Sequence, residues 1–134
     1  EIITFHYEAT TAPIRLAEII RENGMRAGLS LNPRTPVSVL GDLIRYFDVI
    51  LLMSVEPGYY GQKFIESSWQ RLKELNALKE RERLAGRIVE IEIDGGVSDQ
   101  NAAALAKEGA DILVSGSYLF KGDMTERVQK LRGN

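Results

Sequence analysis

An α/β fold of the (β/α) barrel kind is predicted by three features of this sequence. Strand-like and helix-like stretches alternate five times along the chain. Inside the strands apolar residues alternate with polar ones, and the polar ones gather toward the C-terminal ends. Glycine-bearing turns then follow the later strands, at Glu56-Pro57-Gly58, Asp94-Gly95-Gly96 and Ser115-Gly116-Ser117. Alternating strands and helices call for parallel pairing through right-handed crossovers. An open doubly wound sheet is apolar on both faces, whereas a barrel turns one face to helices and the other to an interior with a polar mouth. No G-x-G-x-x-G follows any strand, so the dinucleotide fingerprint is missing and the barrel is preferred.

The elements are read in order. The first strand covers about Ile2–Glu8, with Phe5 and Tyr7 on one face and Thr4, His6 and Glu8 on the other. A helix follows near Ala12–Asn23. The second strand is Arg26–Asn32, where Ala27, Leu29 and Leu31 oppose Gly28, Ser30 and Asn32, and a helix is expected over Val37–Phe47. Val49–Val55 is apolar apart from Ser54, the mark of a strand covered on both faces, and a helical pattern runs from Ile65 to Glu82. Ile88–Asp94 sets Val89, Ile91 and Ile93 against Glu90, Glu92 and Asp94, and a helix over Gln100–Glu108 follows. Ile112–Ser115 and a helix near Asp123–Arg132 close the series. No linker or low-complexity segment interrupts it, so residues 1–134 are read as one domain.

Composition narrows the partners. The 134 residues are 44% hydrophobic and 27% charged, enough for a real core. With 17 Lys and Arg against 19 Asp and Glu the net charge is −2, which argues against nucleic acid or an anionic membrane. There is no cysteine, hence no disulfide framework and no thiolate metal site, and His6 is the single histidine. No apolar run reaches transmembrane length. A soluble cytosolic protein is expected.

The stretch Asp48 to Phe64 carries the first chemical signal. A buried strand stops at Pro57, which has no N–H for a ladder, and Gly58 frees the backbone before the Tyr59-Tyr60-Gly61-Gln62 turn and the next helix. Strand, glycine loop and helix in that order is a cradle for an anion. For any one such loop an ordinary turn is the better reading; three at later strand ends together make a phosphate site the stronger one. Asp94 ends a strand just before Gly95-Gly96. A carboxylate there can hold a divalent cation and move a proton, and capping a D-G-G bend is the ordinary alternative. Met53 is read either as pocket wall or as core, and Lys63 as a solvated loop residue. His6 is read as an interior histidine bonded to Glu8 or Ser30, and Trp69 as packing.

Six stretches, in order, resemble the ribulose-phosphate 3-epimerase family: Ile3–Ala9 (ITFHYEA), Ala27–Pro33 (AGLSLNP) with Thr35-Pro36, Met53–Phe64 (MSVEPGYYGQKF), Glu92–Val97 (EIDGGV), Gly109–Asp111 (GAD) and Ser115–Phe120 (SGSYLF). The resemblance covers essentially the whole chain. It implies a (β/α)8 TIM barrel in which the five strands here are the fourth to the eighth, so that three upstream strands belong to a longer protein or come from another copy. It implies interconversion of D-ribulose 5-phosphate and D-xylulose 5-phosphate by metal-assisted proton transfer at C3 through a cis-enediolate. The alternatives are an allulose 6-phosphate 3-epimerase and a non-catalytic phosphate-binding barrel fragment. By resemblance Asp94 is a metal ligand and one of two acid/base carboxylates. Its partner and two histidine ligands would lie on the upstream strands, and one divalent ion (zinc, iron, manganese or cobalt) is implied. Gly58, Tyr59, Tyr60, Gly61, Asp94, Gly95, Gly96, Gly116 and Ser117 would hold the substrate and its phosphate, and Met53 would line the pocket. Tyr60 stands where the family usually has glycine. A sugar phosphate is the implied small-molecule partner and a homo-oligomer the implied assembly.

Overall fold

A computed structural model describes residues 1–58, 62–115 and 123–133. Among these residues five strands, β1 (Ile2–His6), β2 (Arg26–Leu31), β3 (Val49–Met53), β4 (Glu90–Asp94) and β5 (Ile112–Val114), form one sheet. All pairings are parallel and the strands lie in chain order, β1-β2-β3-β4-β5. Chain order without a reversal is the order of barrel staves, and no switch point of a doubly wound sheet occurs among the described residues. The helices are α1 (Pro13–Glu22), α2 (Ser68–Leu84), α3 (Ala102–Lys107) and α4 (Met124–Leu131).

Register separates the two faces. Partnered residues of a parallel ladder point the same way, so His6, Ser30, Leu51, Glu92 and Ile112 form one layer, and Met53, Asp94 and Val114 the next. The opposite face carries Phe5, Leu29, Ile50 and Ile91, then Leu31, Leu52 and Ile93. This second face packs against Ala17 and Ile20 of α1, Leu72 and Leu75 of α2, and Ala102 and Leu105 of α3. One face is a core and the other is open and mixed, as the alternation within the strands predicts.

The expected helix over Val37–Phe47 is not an α-helix. Two short 3-10 helices, Val37–Leu40 and Ile44–Tyr46, occupy the stretch, separated at Gly41. Val37, Leu40, Ile44 and Phe47 are all buried. A spacing of three to four residues suits 3-10 turns as well as an α-helix, and Pro36 and the Gly41-Asp42 break leave no room for a longer run. The first strand is also shorter than expected. It ends at His6, and Tyr7–Ala9 turns as a 3-10 helix that takes Glu8 out of the strand face.

Three helix C-termini are closed by one device. In α2 the Gly86 N–H donates to the Arg83 carbonyl (3.0 Å) and the Arg87 N–H to the Glu82 carbonyl (2.8 Å), with Gly86 in the left-handed region at φ 85°. This is a Schellman close, and α1 and α3 end in the same pattern. The Glu82 side chain, nearly fully buried, takes Arg87 at 2.6 Å and Arg81 at 3.3 Å. Those hydrogen bonds, led by Arg87, hold its carboxyl below the usual range against the opposing cost of burial.

Candidate functional site at the strand C-terminal ends

Asp94 is the last residue of β4, beside Met53 of β3 and Val114 of β5. The strand period puts it on the open face with Glu92, while Ile91 and Ile93 go to the core. Among the described residues no hydrogen bond or ion pair reaches the Asp94 carboxylate. Burial pushes its pKa up. Glu92 is pushed up as well, first by burial and then by the charge of Asp94. An under-solvated carboxylate without a partner is primed to take a proton.

The loops around Asp94 are stitched together by side chains. Ser54, fully buried just past β3, donates its hydroxyl to the Asp94 carbonyl (3.1 Å) and to the Gly95 carbonyl, and its N–H also donates to Asp94 (2.9 Å). The Ile65 N–H returns to the Ser54 carbonyl at 2.8 Å, closing the loop after β3. Within that loop Gln62 donates to the Glu56 carbonyl (2.7 Å) and accepts from the Glu56 N–H (3.2 Å). Ser115, just past β5, donates to the Val97 carbonyl at 2.8 Å. The chain after β3, β4 and β5 is thereby drawn to one rim.

Gly95 and Gly96 owe their identity to this packing. Their φ values are 124° and 70°, and a Cβ on Gly95 would lie 2.9 Å from the Val55 nitrogen. On Gly96 it would lie 2.7 Å from Phe64 Cα. Only glycine lets the loop after β4 lie against the loop after β3. Gly58, at φ 91°, has open space where a side chain would go, so its need is conformational.

Of the residues singled out in the sequence, Met53, Gly58, Asp94, Gly95 and Gly96 lie at this rim. Tyr59, Tyr60, Gly61, Gly116 and Ser117 lie outside the described residues. Met53 is buried at the end of β3. Lys63 is exposed, and Trp69 packs against the core with its ring 5.3 Å from Phe64. The expectation for His6 needs correction: it is exposed, and the Ser30 hydroxyl beside it in register has no hydrogen-bond partner among the described residues. Glu8 has left the strand face and gives its carboxylate to the Asn32 N–H (3.0 Å) and the Thr35 hydroxyl. Burial opposes ionisation of Glu8, but those two bonds keep its pKa below the usual range.

A divalent ion needs several hard donors converging on one point. Among the described residues no three of His, Asp and Glu come together in that way. Asp94 offers one oxygen ligand; the described residues by themselves do not fit a metal centre. No helix among them is long and apolar enough to cross a membrane.

Ser54, Glu8 and Arg71 were not foreseen as rim residues. Arg71, on the first turn of α2, donates to the carbonyls of Met53 (3.2 Å), Asn32 (2.8 Å) and Thr35 (3.0 Å). Ser54 had one legible signal, as the single polar residue in the otherwise apolar stretch Val49–Val55, although β3 itself ends at Met53; Arg71 had none.

Comparison with known proteins places this arrangement. The chain is 44% identical over 119 residues to ribulose-phosphate 3-epimerase of Escherichia coli K12, an alignment covering 89% of this chain and 52% of that protein. It is 36% identical over 135 residues to the Bacillus subtilis protein of the same name, covering 100% of this chain and 61% of the relative. The chain thus spans about half the length of the curated relatives it matches. In structure it resembles a mutant tryptophan synthase alpha-subunit from Pyrococcus furiosus, with a TM-score of 0.71 at 22% identity, over 99% of this chain and 54% of that one. That likeness concerns the fold alone and agrees with part of a β/α barrel. The profile of the family described as Ribulose-phosphate 3 epimerase matches residues 1–120, and the chain belongs to that family.

Proposed function

We infer that this chain carries one proton-transferring carboxylate and part of the phosphate-holding rim of a cytoplasmic epimerase acting on D-ribulose 5-phosphate and D-xylulose 5-phosphate. The observation that supports it best is Asp94: a half-buried carboxylate at a strand end, without a partner among the described residues, with its pKa raised by burial. Epimerisation beside a carbonyl removes the C3 proton from one face of the sugar and returns a proton to the other, through an enediolate. An Asp94 carboxylate oxygen takes or gives that proton on its own face. A raised pKa narrows the gap to the carbon acid it must serve, so burial helps the transfer. The opposite face requires a second acid/base group from outside the described residues. Met53 walls the site with apolar, polarizable surface that keeps water from the carbanion. Gly58, Gly95 and Gly96 give the rim bare backbone at which the 5-phosphate is held. The divalent ion implied by family resemblance would take Asp94 as one ligand and draw the rest from elsewhere.

The test is exchange of the C3 hydrogen of D-ribulose 5-phosphate with solvent deuterium, run with the whole protein and repeated with allulose 6-phosphate. The pentulose phosphate is expected to exchange and epimerise, and Asp94→Asn to lower the rate by about 10²-fold or more. Near-parental exchange in a folded Asp94→Asn variant would remove Asp94 from the chemistry. Faster turnover of allulose 6-phosphate would reassign the substrate.

A further inference from the structure

We propose that Arg71 is a positioning residue that fixes the substrate rim by clamping the ends of two neighbouring strands, with Glu8 gripping the same loop from the other side. The loop 32–35 follows β2. Its carbonyls at Asn32 and Thr35 accept from Arg71 Nη2 at 2.8 and 3.0 Å, while its Asn32 N–H and Thr35 hydroxyl donate to Glu8. Arg71 Nη1 reaches on to the Met53 carbonyl, 3.2 Å away at the end of β3. One planar guanidinium therefore joins three carbonyls from two strand ends, and a carboxylate past β1 completes the tie.

The clamp sits at a consequential place. Met53 is in register with Asp94, and Ser54, the next residue, hydrogen-bonds the Asp94 and Gly95 carbonyls. Displacing the Met53 carbonyl moves the wall of the site and the start of the loop after β3 together. Arg71 is half-buried and touches none of the residues assigned to the proton transfer except the Met53 backbone, so it acts through them. Lysine cannot replace it in full: an ammonium is a point donor and does not reach three carbonyls in a plane. Arg81, at the far end of the same helix, is the matched control. It donates to the Gly41 carbonyl at 2.6 Å, away from the rim.

The catalytic consequence rests on the proposed epimerase reading, while the clamp itself does not, and the experiment separates them. Amide hydrogen exchange is followed in the whole protein for the parent, Arg71→Met, Arg71→Lys and Arg81→Met, alongside kcat and KM for D-ribulose 5-phosphate. In Arg71→Met the Asn32, Thr35 and Ser54 amides are expected to exchange about tenfold faster or more, the loss of a charged hydrogen bond read as an opening constant. The value of kcat is expected to fall at least as far as the rise in KM, Arg71→Lys to recover part of both effects, and Arg81→Met to leave both unchanged. Unchanged exchange at those three amides in Arg71→Met overturns the clamp. Faster exchange with parental kcat and KM overturns the positioning role and leaves the epimerase reading standing. A parent without epimerase activity counts against that reading, while the exchange data still decide the clamp.

Discussion

In the epimerase reading proposed above, Asp94 sets function against stability. Its folded pKa is raised by burial, so the protonated form is the better fit to the fold. The stabilisation that goes with it is fully present below the unfolded carboxyl value of about 3.9 and is lost as pH rises through the folded value. At neutral pH the charged carboxylate therefore costs stability, and Glu92, raised partly by Asp94, shares the cost. Asp94→Asn is expected to melt higher than the parent at pH 7, by a few tenths of a kcal/mol once solvent screening is counted, with the gain fading as the pH is brought toward 4. Melting curves of the two proteins across that range check it, and equal curves throughout would show that burial does not strain the group. The place of Asp94 at a strand end on the open face was legible because its signal is local: a strand period, then D-G-G. Arg71 was not, because its three partners lie 18, 36 and 39 residues away and only the folded chain brings them within reach. The roles of Gly95 and Gly96 were half legible. Their need for positive φ follows from the turn, but the backbone of Val55 and Phe64 pressing on them does not.

Two of the strand–helix units share a device at their N-terminal ends. Asp48, the residue before β3, accepts the Ala27 N–H at 2.9 Å and the Arg21 guanidinium of α1 at 3.2 Å. Asp111, the residue before β5, accepts the Ile91 N–H at 2.8 Å and the Lys79 ammonium of α2 at 2.7 Å. Each carboxylate extends a ladder by one bond and ties it to a helix cation. Removing one leaves an N–H at a strand start unpaired, which costs about 1–3 kcal/mol. Asp48→Ala and Asp111→Ala are each expected to lose that much in urea unfolding. The double variant should lose nearly the sum, because β4 lies between the two sites and they share no partner. A loss much smaller than the sum would show that the two ends are coupled. The pairing of Asp48 with Arg21 and Asp111 with Lys79 has no sequence pattern of its own, since the two separations, 27 and 32 residues, differ. By contrast the existence and order of the strands were plain from alternation. The stretch Val37–Phe47 misled because buried positions three and four apart fit two 3-10 turns as well as one helix.

At the scale of the molecule the sheet has two sides to account for. Among the described residues β1 pairs only with β2, and β5 only with β4. A closed barrel has no such edges, because its first and last strands pair. Here the outer strands carry apolar side chains in partial contact with water: Ile2 and Ile3 on β1 are 38% and 41% exposed, and Val114 on β5 is 36% exposed. Unpaired N–H and C=O groups beside exposed apolar residues recruit another strand. In a solution of the 134-residue chain by itself we expect that strand to come from a second copy. Sedimentation velocity is expected to show species heavier than the 15.0 kDa chain, growing with concentration. Ile3→Lys puts a charge beside the β1 edge and should shift the distribution toward the single chain. Ile88→Lys alters a residue that is 83% exposed but lies ahead of β4, inside the sheet order, and should leave the distribution alone. If both variants lower association equally, the contact is general surface hydrophobicity and not strand pairing. A parent that stays at 15.0 kDa at every concentration shows that the edges are already protected within one copy.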